Sequence, residues 1–223
     1  MTFSTHLVLA IGRPSVTLVE YSTKYYLPSP AQGAQSMSTQ ITPALTGKYV
    51  VDASHSQIGF GARHAMVTKV RGTFDEFAGS GFFDAENPAN STLEVTIQAT
   101  SINTRNADRD AHLRSNDFFA MEEFPVITFK STAFDKSDAS TYKVTGDLTI
   151  KGVSNSITID LEFTGDAVDP WGNQRIGFEG STSINRKDWG VTWNAALETG
   201  GVLVGEKITL EFEVSAIQQK DAA

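Results

Sequence analysis

The chain has no cysteine among its 223 residues. This absence excludes disulfides, thiolate nucleophiles and cysteine-ligated zinc, and it is compatible with a reducing compartment. Basic residues are also few, with 18 Lys and Arg against 26 Asp and Glu, and they form no run. Because the net charge is −8 and the pI is near 5.0, we expect no nucleic acid partner.

Long hydrophobic runs are absent as well. The first apolar run, Leu7–Ile11, is too short to span a bilayer. It also lacks the basic region and the small-residue cleavage site of a signal peptide. The sequence therefore predicts no membrane span and a cytoplasmic protein.

Residues 1–45 differ in composition from the rest of the chain. The stretch "YLPSPAQGAQSMSTQITPALTG" is rich in Pro, Gly, Ser, Gln and Thr and has few residues that fill a core. We predict a disordered N-terminal extension over residues 1–45, with Met37 as an alternative start. The folded domain is expected over residues 46–217, followed by a tail of residues 218–223.

From Lys48 onward, apolar and polar residues alternate with a period of two, which is typical of strands with one buried face. In "LEVTIQA" the polar residues Glu94, Thr96 and Gln98 share one face. The same alternation recurs in segments 58–64, 127–129, 142–150, 157–163 and 208–214. The pattern predicts an all-β, antiparallel fold of about eight strands. Alternation alone does not separate a closed barrel from two packed sheets.

The segment "RDAHLRSNDFF" interrupts the alternation, and we predict one short helix over residues 106–117. Asp108 is the expected N-cap. Asp110 and Arg114 are spaced as an i, i+4 ion pair, with the order of charges that the helix dipole favours. We therefore interpret this cluster of charges as structural, and we assign His112 no chemical role.

Catalytic and metal-binding patterns are missing from the expected domain. No Gly-x-Ser-x-Gly elbow and no glycine-rich phosphate loop occurs, which argues against a hydrolase. His55 and His64 are nine positions apart and fall on opposite faces of a straight strand. A metal site built from His55, His64, His112 and Asp110 stays open only if a bulge brings them together. We expect no catalytic residue, no metal and no cofactor.

Phenylalanine is abundant, with 14 residues, many of them on the apolar faces. Two interpretations fit this pattern: a filled core, and an elongated apolar cavity inside a closed barrel. Gly72, Gly146 and Gly180 have inward parity, where a missing side chain leaves room for a ligand. Glycines in strands also mark bulges, so this alternative stays open.

Four segments carry a resemblance to a known family: "YVVDASHSQIGFGARHAMVTKVRGTFDEFAGSGFFD", "SINTRNADRDAHLRSNDFFAMEEFPVITFKS", "VTGDLTIKGVSNSITIDLEFTG" and "RIGFEGSTSINRKDWG". Over about residues 48–217 the chain resembles the YceI-like, polyisoprenoid-binding family. The resemblance implies a lipocalin-like barrel that holds a long-chain isoprenoid or a similar amphipathic lipid. It also implies a carrier or sequestering protein rather than a catalyst. Many relatives are periplasmic and carry a signal peptide, from which this sequence departs.

The expected ligand-binding residues share inward parity or follow the predicted helix. They are Ile58, Phe60, His64, Phe74, Val95, Ile97, Leu113, Phe118, Phe119, Phe129, Leu148, Ile159, Phe178 and Ile184. His64 is expected to hydrogen-bond a ligand headgroup, with a satisfied structural histidine as its alternative. Three further alternatives stay open: an enzyme that acts on a lipid through His64, His112 or Asp110, a structural domain with a filled core, and a homodimer.

Overall fold

The computed structural model describes residues 40–198 and 200–220. Met37 and most of the expected N-terminal extension lie outside the described residues. The described elements are β1 (Gly47–Val51), β2 (Gln57–His64), β3 (Thr68–Phe74), β4 (Phe77–Phe83), β5 (Thr92–Gln98), β6 (Ile102–Asn103), α1 (Ala107–Arg114), β7 (Val126–Lys136), β8 (Thr141–Ile150), β9 (Val153–Val168), β10 (Gln174–Asn185) and β11 (Val204–Gln218), together with short 3-10 turns.

Eight of the strands form a closed antiparallel barrel in the order β1-β4-β5-β7-β8-β9-β10-β11, because β11 pairs back with β1. The prediction of an all-β barrel with one short helix is confirmed. The early residues of β11 pair with β2, and its last three pair with β1. β2, β3 and β6 continue the sheet beyond the early residues of β11, and residues of β2 and β3 also line the barrel interior.

The alternating sequence explains which residues fill the barrel. In β8 the buried positions alternate with more exposed ones along the whole strand, and Tyr142 and Val144 are 1% and 0% exposed. Successive strand residues point to opposite faces, so the apolar half of each strand turns inward. The hydrophobic core is therefore the barrel interior.

The folded part of the chain begins before residue 46, the boundary that composition suggested. Leu45, in a 3-10 turn, is 2% exposed, and the Tyr49 hydroxyl donates to its carbonyl at 2.9 Å. A single apolar residue in a turn has no periodicity, and the sequence pattern missed it. At the other end, the backbone NH of Gln219 donates to the Lys48 carbonyl at 2.7 Å, so the chain stays paired past residue 218.

Helix α1 lies within the predicted range but is shorter. Its N-cap is Asn106, whose side chain accepts from the backbone NH of Arg109 at 2.9 Å. The prediction of Asp108 as the cap was wrong, because the carboxamide two residues earlier already occupies that position. Within the described part of the chain, no helix has the length and apolarity to cross a bilayer.

Candidate ligand-binding cavity

The barrel encloses a cavity of about 250 Å³. Its walls come from the inward residues of the strands and from the segment that follows α1, and most of them are apolar. Tyr142 and Arg186 are among the few lining residues that carry polar side-chain atoms. Such an interior can enclose an apolar molecule, since small-molecule sites are mostly apolar with a few polar groups.

All but one of the sequence-predicted ligand-binding residues lie in the cavity lining. They are Ile58, Phe60, Phe74, Val95, Ile97, Leu113, Phe118, Phe119, Phe129, Leu148, Ile159, Phe178 and Ile184. The alternation of the strands brings ten of these thirteen together from segments far apart in the chain, and the other three, Leu113, Phe118 and Phe119, come from α1 and the residues after it.

His64 is the exception. It is the last residue of β2, where it is exposed and pairs with Thr68 in β3. The last lining residue of β2 is Ala62. His64 has the expected parity and pairs with the lining residue Val204, but it is exposed and lies outside the cavity lining, so its contact with a ligand headgroup stays a prediction.

Several lining residues escaped the sequence prediction. Trp189 and Val191 follow β10 in and after a 3-10 turn, where no alternation marks them. Both are buried, and the Trp189 indole NH donates to the Leu148 carbonyl at 2.9 Å. A large aromatic residue directly after a strand was the one signal available in the sequence.

Tyr142 has the one buried side-chain polar atom that lacks a hydrogen-bond partner within residues 40–198 and 200–220. Its ring packs edge-on against Phe83 and Phe178, with centroids 5.7 and 6.1 Å away. Burial raises the pKa of this phenol, which stays protonated and remains a donor. An unpaired buried hydroxyl costs about 1–3 kcal/mol, so this group lowers the stability of the barrel as long as it has no partner.

Arg186 places a cation beside the cavity, with 5% of its surface exposed. Its guanidinium donates to the carbonyls of Val191, Val204 and Gly205, at 2.5, 3.3 and 3.0 Å. Burial lowers its pKa, against the opposing effect of Glu206. These bonds fasten the turn after β10 to the start of β11.

The inward glycines do not leave room for a ligand. A methyl group at Gly146 would lie 2.5 Å from the Phe129 ring, and one at Gly72 would overlap the Phe60 ring. At Gly180 it would lie 2.6 Å from the Leu161 side chain. The space over each glycine is filled by a side chain of a neighbouring strand, so the expectation of free room at these positions was wrong.

The charged residues of α1 bind the segment that precedes the helix. Asp110 is 7% exposed and accepts from the backbone NH and the hydroxyl of Thr104, at 2.9 and 2.5 Å. Arg109 donates to the same hydroxyl at 2.7 Å, and Arg114 donates to the carbonyls of Thr100 and Ile102, both at 3.0 Å. The expected Asp110–Arg114 ion pair was wrong, because each side chain is engaged by the backbone of residues 100–104.

The residues after α1 cover part of the cavity with aromatic rings. Phe119 packs edge-on against Phe74, with centroids 6.5 Å apart, and Phe118 packs against Trp193 at 5.2 Å. His112 packs outside them against Phe118 and Trp193, and its Nε2 lies 2.9 Å from an Asp117 carboxylate oxygen. The segment therefore has the geometry of a lid on the cavity wall.

No group of three or more His, Asp or Glu side chains converges as metal ligands anywhere in the described residues. His55 binds Asp52 on the outside, with 2.8 Å between Nδ1 and Oδ2. His64 and His112 lie elsewhere, each on the exposed or half-exposed surface. The histidines that the sequence singled out are thus not brought to one site.

Comparisons with known proteins agree with this architecture. A family model described as YceI-like domain matches residues 49–216. A UPF0312 protein of Staphylococcus aureus strain MSSA476 is 42% identical over 169 residues, which are 75% of this chain and 95% of the relative. The crystal structure of the YceI protein of Campylobacter jejuni is 34% identical, with a TM-score of 0.60 over 71% of this chain and 90% of that chain.

A more distant structure shares the fold. A polyisoprenoid binding domain from Saccharophagus degradans is 17% identical, with a TM-score of 0.56 over 77% of this chain and 98% of its own. The family match runs from within β1 to two residues before the end of β11, and it confirms the resemblance found in the sequence. This chain belongs to the YceI-like domain family.

Proposed function

We propose that the protein binds an amphipathic lipid of the isoprenoid class inside its barrel and carries or sequesters it without catalysis. The observation that carries this proposal is the apolar cavity enclosed by the strands and by the Phe118–Phe119 lid. Each Å² of apolar ligand surface taken from water contributes about 25 cal/mol, so binding needs no reactive group. The polyisoprenoid binding named for the Saccharophagus degradans domain supports the ligand class.

The polar atoms of the interior favour a ligand with an oxygen-bearing group over a pure hydrocarbon. The Tyr142 hydroxyl gains a partner when such an oxygen accepts its hydrogen bond. Two lining residues of β8, Tyr142 and Leu148, are six residues apart, so the lined part of this strand is about 20 Å long. The cavity volume of about 250 Å³ lies below the usual range of about 300–1,000 Å³ for ligand pockets, so a long chain requires the lid to move outward.

Mass spectrometry of an organic extract of the purified full-length chain tests the proposal. We expect a co-purifying lipid with a polyprenyl or related chain, and saturable binding of a fluorescent polyprenyl analogue by the extracted protein. Val95→Phe, which fills part of the cavity, should weaken binding about tenfold or more, whereas Thr96→Phe on the exposed face should not. An empty extract together with no saturable binding would refute the proposal.

A further inference from the structure

The hairpin between β2 and β3 exposes two adjacent apolar side chains. Met66 is 64% exposed and Val67 is 75% exposed. The backbone of Ala65 and Met66 is left-handed, with φ of 49° and 61°, where glycine is the preferred residue. Residues 65–67 therefore hold apolar side chains outward in a turn whose backbone favours other residues.

The strands on either side of this turn are basic. We define the β2–β3 tip as residues 63–71, which contain Arg63, His64, Lys69 and Arg71 and no acid, in a chain of net charge −8. Arg63 lies directly opposite Lys69 in the ladder, an arrangement of like charges that destabilises a sheet. This pairing does not stabilise the hairpin, and a negatively charged partner would relieve the repulsion.

The charges of the β2–β3 tip are only partly neutralised by the rest of the barrel. Lys69 donates to Glu211 at 2.7 Å, whereas Arg63 and Arg71 have no carboxylate partner among the described residues. The neighbouring loop contains one acid, Glu198. This loop contacts the tip where the Ala65 NH donates to the Leu203 carbonyl at 2.7 Å. Arg63 donates to the Val67 carbonyl within the turn, at 3.2 Å, so the tip offers two guanidinium groups that have no carboxylate partner in the described part of the chain, beside its apolar residues.

The β2–β3 tip also lies at one end of the cavity. Ala62 and Val204 line the cavity. Ala62 directly precedes the tip in the chain, and Val204 pairs with His64 of the tip. A surface that meets a membrane here brings the cavity end close to the lipids.

We propose that the β2–β3 tip docks on an anionic phospholipid bilayer. Met66 and Val67 enter the interface between headgroups and acyl chains, and Arg63 and Arg71 contact the phosphates. Apolar insertion combined with basic residues is the physical basis of binding to anionic membrane surfaces. This surface goes beyond the proposed function, since docking does not depend on which ligand the cavity holds.

The opposite end of the barrel provides a matched control. Trp171, in the turn between β9 and β10, is 80% exposed, but its neighbours include Asp166 and Asp169. β10 begins at this turn and runs the length of the barrel, and its last residue, Asn185, pairs with Lys207 near Val204. The turn and the β2–β3 tip therefore lie at opposite ends of β10. Trp171 is therefore exposed and apolar beside acidic residues, of which Asp169 pairs with Arg175, at the far end from the β2–β3 tip.

Flotation of the full chain with phosphatidylcholine vesicles, with and without phosphatidylglycerol, tests docking. We expect binding that requires phosphatidylglycerol and weakens as salt rises. The Arg63→Gln/Arg71→Gln variant should lose about 25-fold in partitioning, about fivefold for each charge. Met66→Ser/Val67→Ser should also bind more weakly, and Trp171→Ala should bind like the parent.

Three results would overturn the proposal: no binding of the parent to anionic vesicles, parental binding by both double variants, or an equal loss in Trp171→Ala. The substituted side chains are exposed, and circular dichroism verifies that each variant folds. If one double variant does not fold, the other and the salt dependence of the parent decide. Binding of the fluorescent polyprenyl analogue in the absence of vesicles is measured on the same variants, so a failure of docking is distinguishable from a failure of cavity binding.

Discussion

Two buried tyrosines of the barrel, Tyr49 and Tyr142, differ in whether the hydroxyl group has a hydrogen-bond partner. The Tyr49 hydroxyl donates to the Leu45 carbonyl at 2.9 Å, and burial, helped by Asp166, raises its pKa to about 12. The Tyr142 hydroxyl has no partner among the described residues. The first hydroxyl stabilises the fold, and the second costs stability until a ligand meets it.

Tyr142→Phe should therefore raise the free energy of unfolding of the lipid-free protein by about 1 kcal/mol, because it removes an unpaired buried hydroxyl and keeps the ring. The same change should weaken binding of a ligand oxygen by about five- to tenfold. Urea unfolding and a fluorescence titration measure the two effects. Tyr49→Phe is the control and should lower the free energy of unfolding by about 1 kcal/mol. A loss of stability of the same size in both variants would contradict this prediction.

At the scale of elements, the charged residues of α1 hold the helix in place, and the aromatic residues after it line the cavity. The charges of Arg109, Asp110 and Arg114 fasten the helix to residues 100–104. The rings that follow line the cavity. The charged cluster that suggested chemistry in the sequence therefore holds a lid in place.

Phe119→Ala should weaken binding of a polyprenyl analogue about tenfold to a hundredfold, because the ring lines the cavity and packs on Phe74. His112→Ala should change affinity by only a few-fold, since His112 does not line the cavity. Fluorescence titration of both variants and the parent measures this difference. If His112→Ala abolished binding while Phe119→Ala bound normally, the lid interpretation would be wrong.

At the scale of the whole molecule, one charged cluster joins three separate parts of the chain. Arg175 in β10 donates to Asp52, after β1, at 2.6 Å, and to Asp169, in the β9–β10 turn, at 2.9 Å. Hydrogen bonds from Ser54 and then Arg175 lower the pKa of Asp52 well below its usual range. Burial would raise the pKa of Asp169, but hydrogen bonds from Asn173 and Arg175 outweigh it and lower this pKa too.

Both carboxyl groups have a lower pKa in the folded state than in the unfolded state, so they stabilise the fold above about pH 4 and cease to do so as the pH falls further. Arg175→Gln should lower the thermal midpoint at pH 7, and its difference from the parent should shrink as the pH falls towards about 2. Thermal unfolding across this pH range measures the effect. Lys143→Gln, which removes the exposed pair with Asp160, should have a much smaller effect. A difference from the parent that stays constant with pH would contradict the prediction.

The sequence by itself determined the all-β class, the short helix and the inward face of the strands whose residues alternate regularly, whereas β1, β3, β4, β6 and β10 lie outside the alternating segments. Residues such as Ile97, Phe129 and Ile159 point inward because successive side chains of any strand alternate between faces, a local property that needs no knowledge of neighbours. The position of the helix was equally readable, since its charges lie within a few residues of one another, but its N-cap is Asn106 and not the predicted Asp108.

Tertiary structure alone decided the points that depend on residues far apart in the chain. Closure of the barrel requires β11 to reach β1, a pairing across almost the whole domain. His64 lies outside the cavity lining although it has inward parity, and the space over Gly146 is taken by Phe129 from the adjacent strand. Asp110 bonds Thr104 instead of Arg114 because the preceding segment folds back beneath the helix. Periodicity assigns a side chain to a face, but the occupant of the space in front of it is set by the packing of other strands.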